Sequence, residues 1–321
     1  MKKIILFMPY MGQLPPNFPL WVKSCGANPT IDWVLLTDRE VDTPLPPNIR
    51  HIMTSMDDLR ERFSARLGFP VTLDRPYKLV DYKPAYGYLF EDMTEGYDFW
   101  GHCDMDVVFG DIRAFFTDEI MDAYDKIQER GHLSIYRNTD RIKRLFMEPC
   151  EGVVDYRRVY TDPYIFCYDE FRGIWRQCQV KGIPYTDIDT LAALHPFRGA
   201  FTESLSGRSG IVLYWERGKT YMAYLEKGKL TTQEIMYVHF RKRPMGAPAF
   251  DVDKAEAFFL VPNTFLLKEP GPLTRQEFRR MRKGLPLYTL RVNARRLYQK
   301  YVLKPARWYR RRRARRGGDD A

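Results

Sequence analysis

Short apolar runs alternate with helical stretches over the first 110 residues, and this alternation constrains the fold most. Lys3–Met8 is continuously apolar, as expected of a strand covered on both faces. A helix is expected at Phe18–Cys25, followed by strands at Asp32–Thr37 and Ile49–Thr54. Ser55 with Asp58 forms a capping-box pattern that opens a helix to about Leu67. Asp81–Glu95 reads as a further helix with Pro84 in its first turn, and Tyr97–Cys103 as a strand ending on Asp104. Such an order implies an α/β chain with a Rossmann-like, mostly parallel N-terminal sheet.

The later half reads as α+β. A strand is expected near His132–Tyr136, with helices at Asp140–Met147 and Asp169–Val180. Ile211–Trp215 and Thr220–Leu225 form a hairpin pattern, and Gln233–Phe240 adds one extended segment. The expected division is a single domain over residues 1–265, a Pro/Gly linker over 266–274, and a basic tail, helical or disordered, over 275–321.

Charge separates the last part from the rest. The chain's net charge is +10, yet residues 1–274 hold 34 Lys and Arg against 38 Asp and Glu. Residues 275–316 hold 17 Lys and Arg against Glu277 alone. The tail interleaves Tyr288, Tyr298, Tyr301, Trp308 and Tyr309 with its cations. It carries no nucleic-acid-binding motif, so a basic amphipathic helix on an anionic membrane face is favoured over nucleic acid. Five cysteines without a CxxC pair suit a reducing compartment, and no apolar stretch has membrane-spanning length. The expected location is cytoplasmic, with peripheral attachment to the inner membrane face.

Asp104-Met105-Asp106 is the pattern that can carry chemistry. Two carboxylates one residue apart, just past a strand, can converge on a hard divalent cation, and such a cation neutralises a diphosphate. The tripeptide DxD occurs three times, against about two expected by chance. Asp187/Asp189 and Asp251/Asp253 read as turns or caps. Only Asp104/Asp106 lies between two apolar runs, where ligands bind in open α/β sheets. Asp81 and Lys83, at a helix start before that strand, suit a phosphate or nucleotide. His239, at a strand end, can complete a carboxylate metal site, with Lys242 or Arg243 on the diphosphate oxygens.

The segments MPYMGQLPPNFPLWVKSC, YKLVDYKPAYGYLFED, GYDFWGHCDMDVVFGDI, GHLSIYRNT and YVHFRKRPM resemble a family of bacterial glycosyltransferases found among surface-polysaccharide genes. More broadly the pattern is similar to GT-A-fold transferases that use nucleotide-diphosphate sugars. The resemblance covers roughly residues 3–265. It implies a GT-A-like domain with Asp104 and Asp106 on a donor-bound Mn²⁺ or Mg²⁺ and His239 as a further ligand. It also implies Pro9 and Tyr10 against the nucleoside, and Asp81 and Lys83 on the ribose or sugar. The implied acceptor is a glycan or lipid-linked saccharide.

An inverting reaction needs a carboxylate base. Asp169-Glu170 is the first candidate pair and Asp187 with Asp189 the second, although acids at a helix start also serve as caps. Trp215 is the tryptophan best placed to be a sugar platform. Two other classes compete. Asp104 and Asp106 also fit a haloacid-dehalogenase-like phosphatase, but that motif sits on the first strand and here three strands precede it. A non-catalytic protein binding membrane or nucleic acid through its tail is the other alternative.

Overall fold

A computed structural model describes residues 1–170, 172–285, 287–298 and 301. In chain order its strands are β1 (Ile4–Tyr10), β2 (Ile31–Thr37), β3 (Ile49–Met53), β4 (Phe99–Cys103), β5 (Val107–Phe109), β6 (Lys126–Ile127), β7 (Leu133–Arg137) and β8 (Tyr185–Thr186). They continue as β9 (Ala192–Ala193), β10 (Val212–Glu216), β11 (Lys219–Glu226), β12 (Lys229–Ile235), β13 (Tyr237–His239), β14 (Ala257–Val261) and β15 (Thr264–Leu267).

Seven strands form the main sheet in the order β3-β2-β1-β4-β7-β6-β8. The pairs β1/β2, β2/β3 and β1/β4 are parallel, as the alternation of strand and helix requires. β7 runs antiparallel to β4 and ends the parallel block. The apolar runs are buried on both faces. Ile4, Leu6 and Trp33 pack on one side, and Ile5, Phe7 and Val34 on the other. The expected α/β class with a parallel-rich N-terminal sheet is what the chain adopts.

Local signals explain several boundaries. Ser55 and Asp58 make both capping-box bonds at the Met56–Leu67 helix. The Gln233–Phe240 segment divides at Met236, because β12 belongs to a five-stranded antiparallel sheet and β13 to a three-stranded one. The first of these has the order β12-β11-β10-β14-β15, and the second β5-β13-β9.

Other expectations are corrected. The Asp81–Glu95 helix is a chain of single turns, with α-helical pieces only at Leu79–Tyr82 and Tyr86–Leu89. Pro84 has no N–H to donate, so the i to i−4 ladder is interrupted and the chain makes a 3₁₀ turn at Lys83–Ala85, with Lys83 itself in the α region. The helix expected from Asp169 starts at Ile174, because Gly173 (φ −116°, ψ −116°) lies outside the helical region. Trp215 is no sugar platform. It is buried, stacks on Phe258 and donates its indole N–H to the Phe109 carbonyl.

The 265/266 boundary falls inside β15, whose Leu267 pairs with Phe258 of β14. Beyond it, Lys268 reaches Glu216 and the Gly271 carbonyl, and a Thr274–Glu277 capping box opens the Arg275–Met281 helix. A second helix, Tyr288–Tyr298, ends the regular structure among the described residues. Trp308 and Tyr309 of the tail lie outside the described residues.

Candidate active site

β1 and β4 are parallel, so Pro9-Tyr10 and Asp104 emerge at the same edge of the sheet. That edge opens into a cavity of about 760 Å³, whose lining includes Pro9, Tyr10, Lys83, Asp104, Asp106 and His239. Asp169, Glu170 and Lys242 line it too. The chain leaves β4 through Asp104-Met105-Asp106 and enters β5 directly. Met105 points into the core and both carboxylates are left partly exposed.

Strand register brings His239 to this pair across more than 130 residues. β5 and β13 are antiparallel with Val107 opposite His239, and the Phe240 N–H extends the ladder to the Asp106 carbonyl at 2.9 Å. His239 Nε2 consequently lies 3.3 Å from Asp106 Oδ1 and 4.0 Å from Asp104 Oδ2. One donor atom from each of the three falls within a 4.8 Å span. Burial works against the Asp106 charge, but His239 and the Lys242 N–H outweigh it and hold its pKa below the ordinary carboxylate range. Two carboxylates and an imidazole are a donor set that fits a divalent cation such as Mn²⁺ or Mg²⁺.

Lys83 is buried beneath this group. Its ammonium donates to Asp104 Oδ1 at 2.7 Å and to the Gly131 carbonyl at 2.7 Å, and lies 3.2 Å from Asp169 Oδ2. Burial opposes the ammonium, yet Asp104 and Asp169 together raise its pKa, so it stays charged. Asp169 is nearly inaccessible. Desolvation pushes its pKa up to about 6 despite the neighbouring Lys83. Glu170, next to it, is exposed at the cavity wall. Tyr10 is half-buried there, and burial followed by the Asp106 charge raises its phenol pKa.

Two residues expected at the ligand stand elsewhere. Asp81 is wholly buried and ion-paired to Lys78 at 2.9 Å, and its carboxylate accepts the Phe166 and Tyr168 N–H groups. It ties the Leu79–Tyr82 turn to the 166–168 segment and does not line the cavity. Arg243 is also buried. Its guanidinium sits between the Phe201 and Tyr288 rings and donates to the Arg198 and Gly199 carbonyls. Every one of those partners belongs to the scaffold, so Arg243 is withdrawn from the diphosphate role.

Arg241 and His132 were not foreseen as cavity residues. Arg241 and Lys242 both adopt left-handed backbone conformations (φ 50° and 63°), and this turn aims the Lys242 N–H at Asp106 Oδ2, 3.4 Å away. His132 packs against His239, with 4.0 Å between ring centroids and the planes tilted by 30°. Burial first, then His239, drives its pKa well down, so it is a neutral ring. The available signal was its place one residue before β7, which pairs with β4 and sets the His132 carbonyl against the Asp104 N–H at 3.0 Å. The second-choice acids Asp187 and Asp189 are engaged by Arg130 outside the cavity.

The model of a family of unknown function, DUF6625, matches residues 6–269. Among curated proteins none matches the sequence. Among solved structures, the galactosyltransferase LgtC, in complex with donor and acceptor sugar analogs, aligns with a TM-score of 0.35 and 13% identity over 59% of this chain and 75% of that one. Mouse xyloside xylosyltransferase 1 aligns at 0.34 and 9% identity over 60% of this chain and 87% of that one. A mycobacterial protein aligns at 0.32 and 9% identity over 76% and 86%. TM-scores this low assign no activity, and the functional reading rests on the site itself.

Proposed function

We propose that this chain, which belongs to the DUF6625 family, is a GT-A-like glycosyltransferase that moves a sugar from a nucleotide-diphosphate donor. The observation that carries the reading is the convergence of Asp104, Asp106 and His239 at the mouth of a large cavity on the C-terminal edge of β1 and β4. Asp104, Asp106 and His239 would hold Mn²⁺ or Mg²⁺. Bound there, the cation would offset the diphosphate charge and favour its departure.

The chain's own groups have separate tasks in this scheme. Lys242 and Arg241, exposed at the cavity, would meet phosphate oxygens, while Pro9 and Tyr10 form a wall for the nucleoside. His132 packs against the His239 ring and would hold it in place. Lys83 fixes the Asp104 carboxylate and leaves its second oxygen on the His239 side. If the reaction inverts the sugar, Glu170 is the more available base, because Asp169 is already tied to Lys83. The proposed acceptor is a glycan or lipid-linked saccharide on the cytoplasmic face of a membrane. None of the described helices is long and apolar enough to cross one.

The test is thermal stabilisation of the protein by nucleotide-diphosphate sugars with Mn²⁺, in the wild type and in an Asp104→Ala/Asp106→Ala variant. A ligand that binds only the folded chain raises its Tm by mass action. The expected result is a Mn²⁺-dependent shift in the wild type and none in the variant. An undiminished shift in the variant refutes the site. Phosphate release from a phosphosugar without any nucleotide sugar would point instead to the phosphatase class.

A further inference from the structure

The exposed leucines of this protein are concentrated in one region. Eight leucines are prominently exposed among the described residues, and six of them (Leu266, Leu267, Leu285, Leu287, Leu290 and Leu297) lie near the C-terminus. Leu266, Leu267 and Leu285 line a second groove, of about 490 Å³, with Met281. Arg280 and Lys283 line the same groove.

Exposed apolar residues recur on the Tyr288–Tyr298 helix. Leu290, Ala294 and Leu297 follow at i, i+4 and i+7, which places them on one face, and all three are exposed. Tyr301 extends the same spacing and is 63% exposed. The start of the helix is fixed to the body. Tyr288 Oη donates to the Pro196 carbonyl at 3.0 Å, and the Gly199 N–H donates to Thr289 Oγ1 at 2.8 Å. Tyr288 also packs against the Arg243 guanidinium. Beyond these first two residues the helix stands largely clear of the body, with Leu290, Ala294 and Leu297 all exposed.

We propose that this surface docks on an anionic lipid bilayer. Leucines exposed on a helix gain by entering the acyl boundary, and the cations beside them are drawn to acidic headgroups. Residues 275–316 hold 17 Lys and Arg to one acid, which complements that partner. The same charge opposes pairing with a second copy of the chain. Nucleic acid would use the cations and could stack on Tyr298 and Tyr301, but it would leave the exposed leucines without a partner.

The docking helix is bonded to the Pro196 carbonyl, and Pro196 and Phe197 also line the candidate active-site cavity. On the transferase reading above, which this consequence rests on, the cavity wall is held at the membrane where a lipid-linked acceptor resides. The docking itself does not need that reading.

The experiment is co-sedimentation of the full chain with phosphatidylcholine vesicles, with and without phosphatidylglycerol. Binding to the anionic vesicles is expected to be on the order of tenfold tighter and to weaken with salt. A Leu290→Ser/Leu297→Ser variant should keep its Tm and lose about tenfold in vesicle partition. Undiminished partition of that variant, or equal binding to both vesicle types, overturns the proposal. Single-stranded RNA bound more tightly than the anionic vesicles would assign the tail to nucleic acid. A dimer that the leucine variant dissolves would assign the face to a second copy. Vesicle binding is read without catalysis, so its failure leaves the nucleotide-sugar test untouched, and the converse holds too.

Discussion

Lys83 donates to Asp104 Oδ1 across 2.7 Å, so the first carboxylate of the candidate metal site is already paired by a cation of the chain. The same ammonium contacts Asp169 and the Gly131 carbonyl. Replacing it with an apolar group leaves two carboxylates without their partner, one of them buried. Lys83→Met is expected to cost about 3 kcal/mol in chelator-treated protein, by urea unfolding. It also removes a positive charge beside Asp104, so added Mn²⁺ should restore more stability to the variant than to the wild type. Equal Mn²⁺ responses would show that the lysine and the cation do not share that carboxylate.

Asp169 gives a pH dependence with a defined sign. Desolvation raises its folded-state pKa to about 6 despite the nearby lysine, against roughly 3.9 in the unfolded chain. The folded state thus prefers the neutral acid, and ionising it costs stability. Relative to Asp169→Asn, wild-type stability should fall by about 3 kcal/mol as pH rises from about 4 to 6, and then level off. Urea unfolding of both proteins in chelator across that range measures the difference. A constant difference would mean that Lys83 offsets the desolvation and leaves no net shift.

Gly131 lies against the same acid. A Cβ added there would sit 2.2 Å from Asp169 Oδ2, closer than any real contact. Gly131→Ala should therefore cost about 2 kcal/mol through overpacking. Combined with Asp169→Gly, which removes the obstructing carboxylate, the two losses should be far from additive. Additive losses would place the strain elsewhere.

The fold was legible where a local pattern decided the outcome. The apolar runs of β1 and β2 needed burial on both faces, and the Ser55–Asp58 box marked a helix start by itself. Asp104 and Asp106 were visible because apolar runs flank them. His239 could be suggested as their neighbour, but only the pairing of β13 with β5 places it there. The misassigned residues share one cause. Asp81 is buried by N–H groups 85 and 87 residues away, and Arg243 by carbonyls 44 and 45 residues away. No spacing in the local sequence encodes such partners. His132 was missed because its role comes from packing against a ring contributed by another sheet.

Adjacent residues Lys242 and Arg243 put this distinction to direct test. Both are cations that follow β13, and by sequence either can hold a diphosphate. Arg243 is only 3% exposed, enclosed by two aromatic rings and bonded to two carbonyls, whereas Lys242 is exposed at the cavity. Arg243→Met strands those carbonyls and should lower stability by about 2 kcal/mol. Under conditions where this variant stays folded, its affinity for a nucleoside diphosphate with Mn²⁺ should be nearly unchanged. Lys242→Met should do the reverse, leaving Tm in place while weakening that affinity about tenfold, since a charge-assisted contact is lost without disturbing the scaffold. Calorimetric titration and thermal unfolding of both variants separate the two roles. A loss of affinity in Arg243→Met that matches Lys242→Met would return the arginine to the phosphate site and refute its assignment to the scaffold.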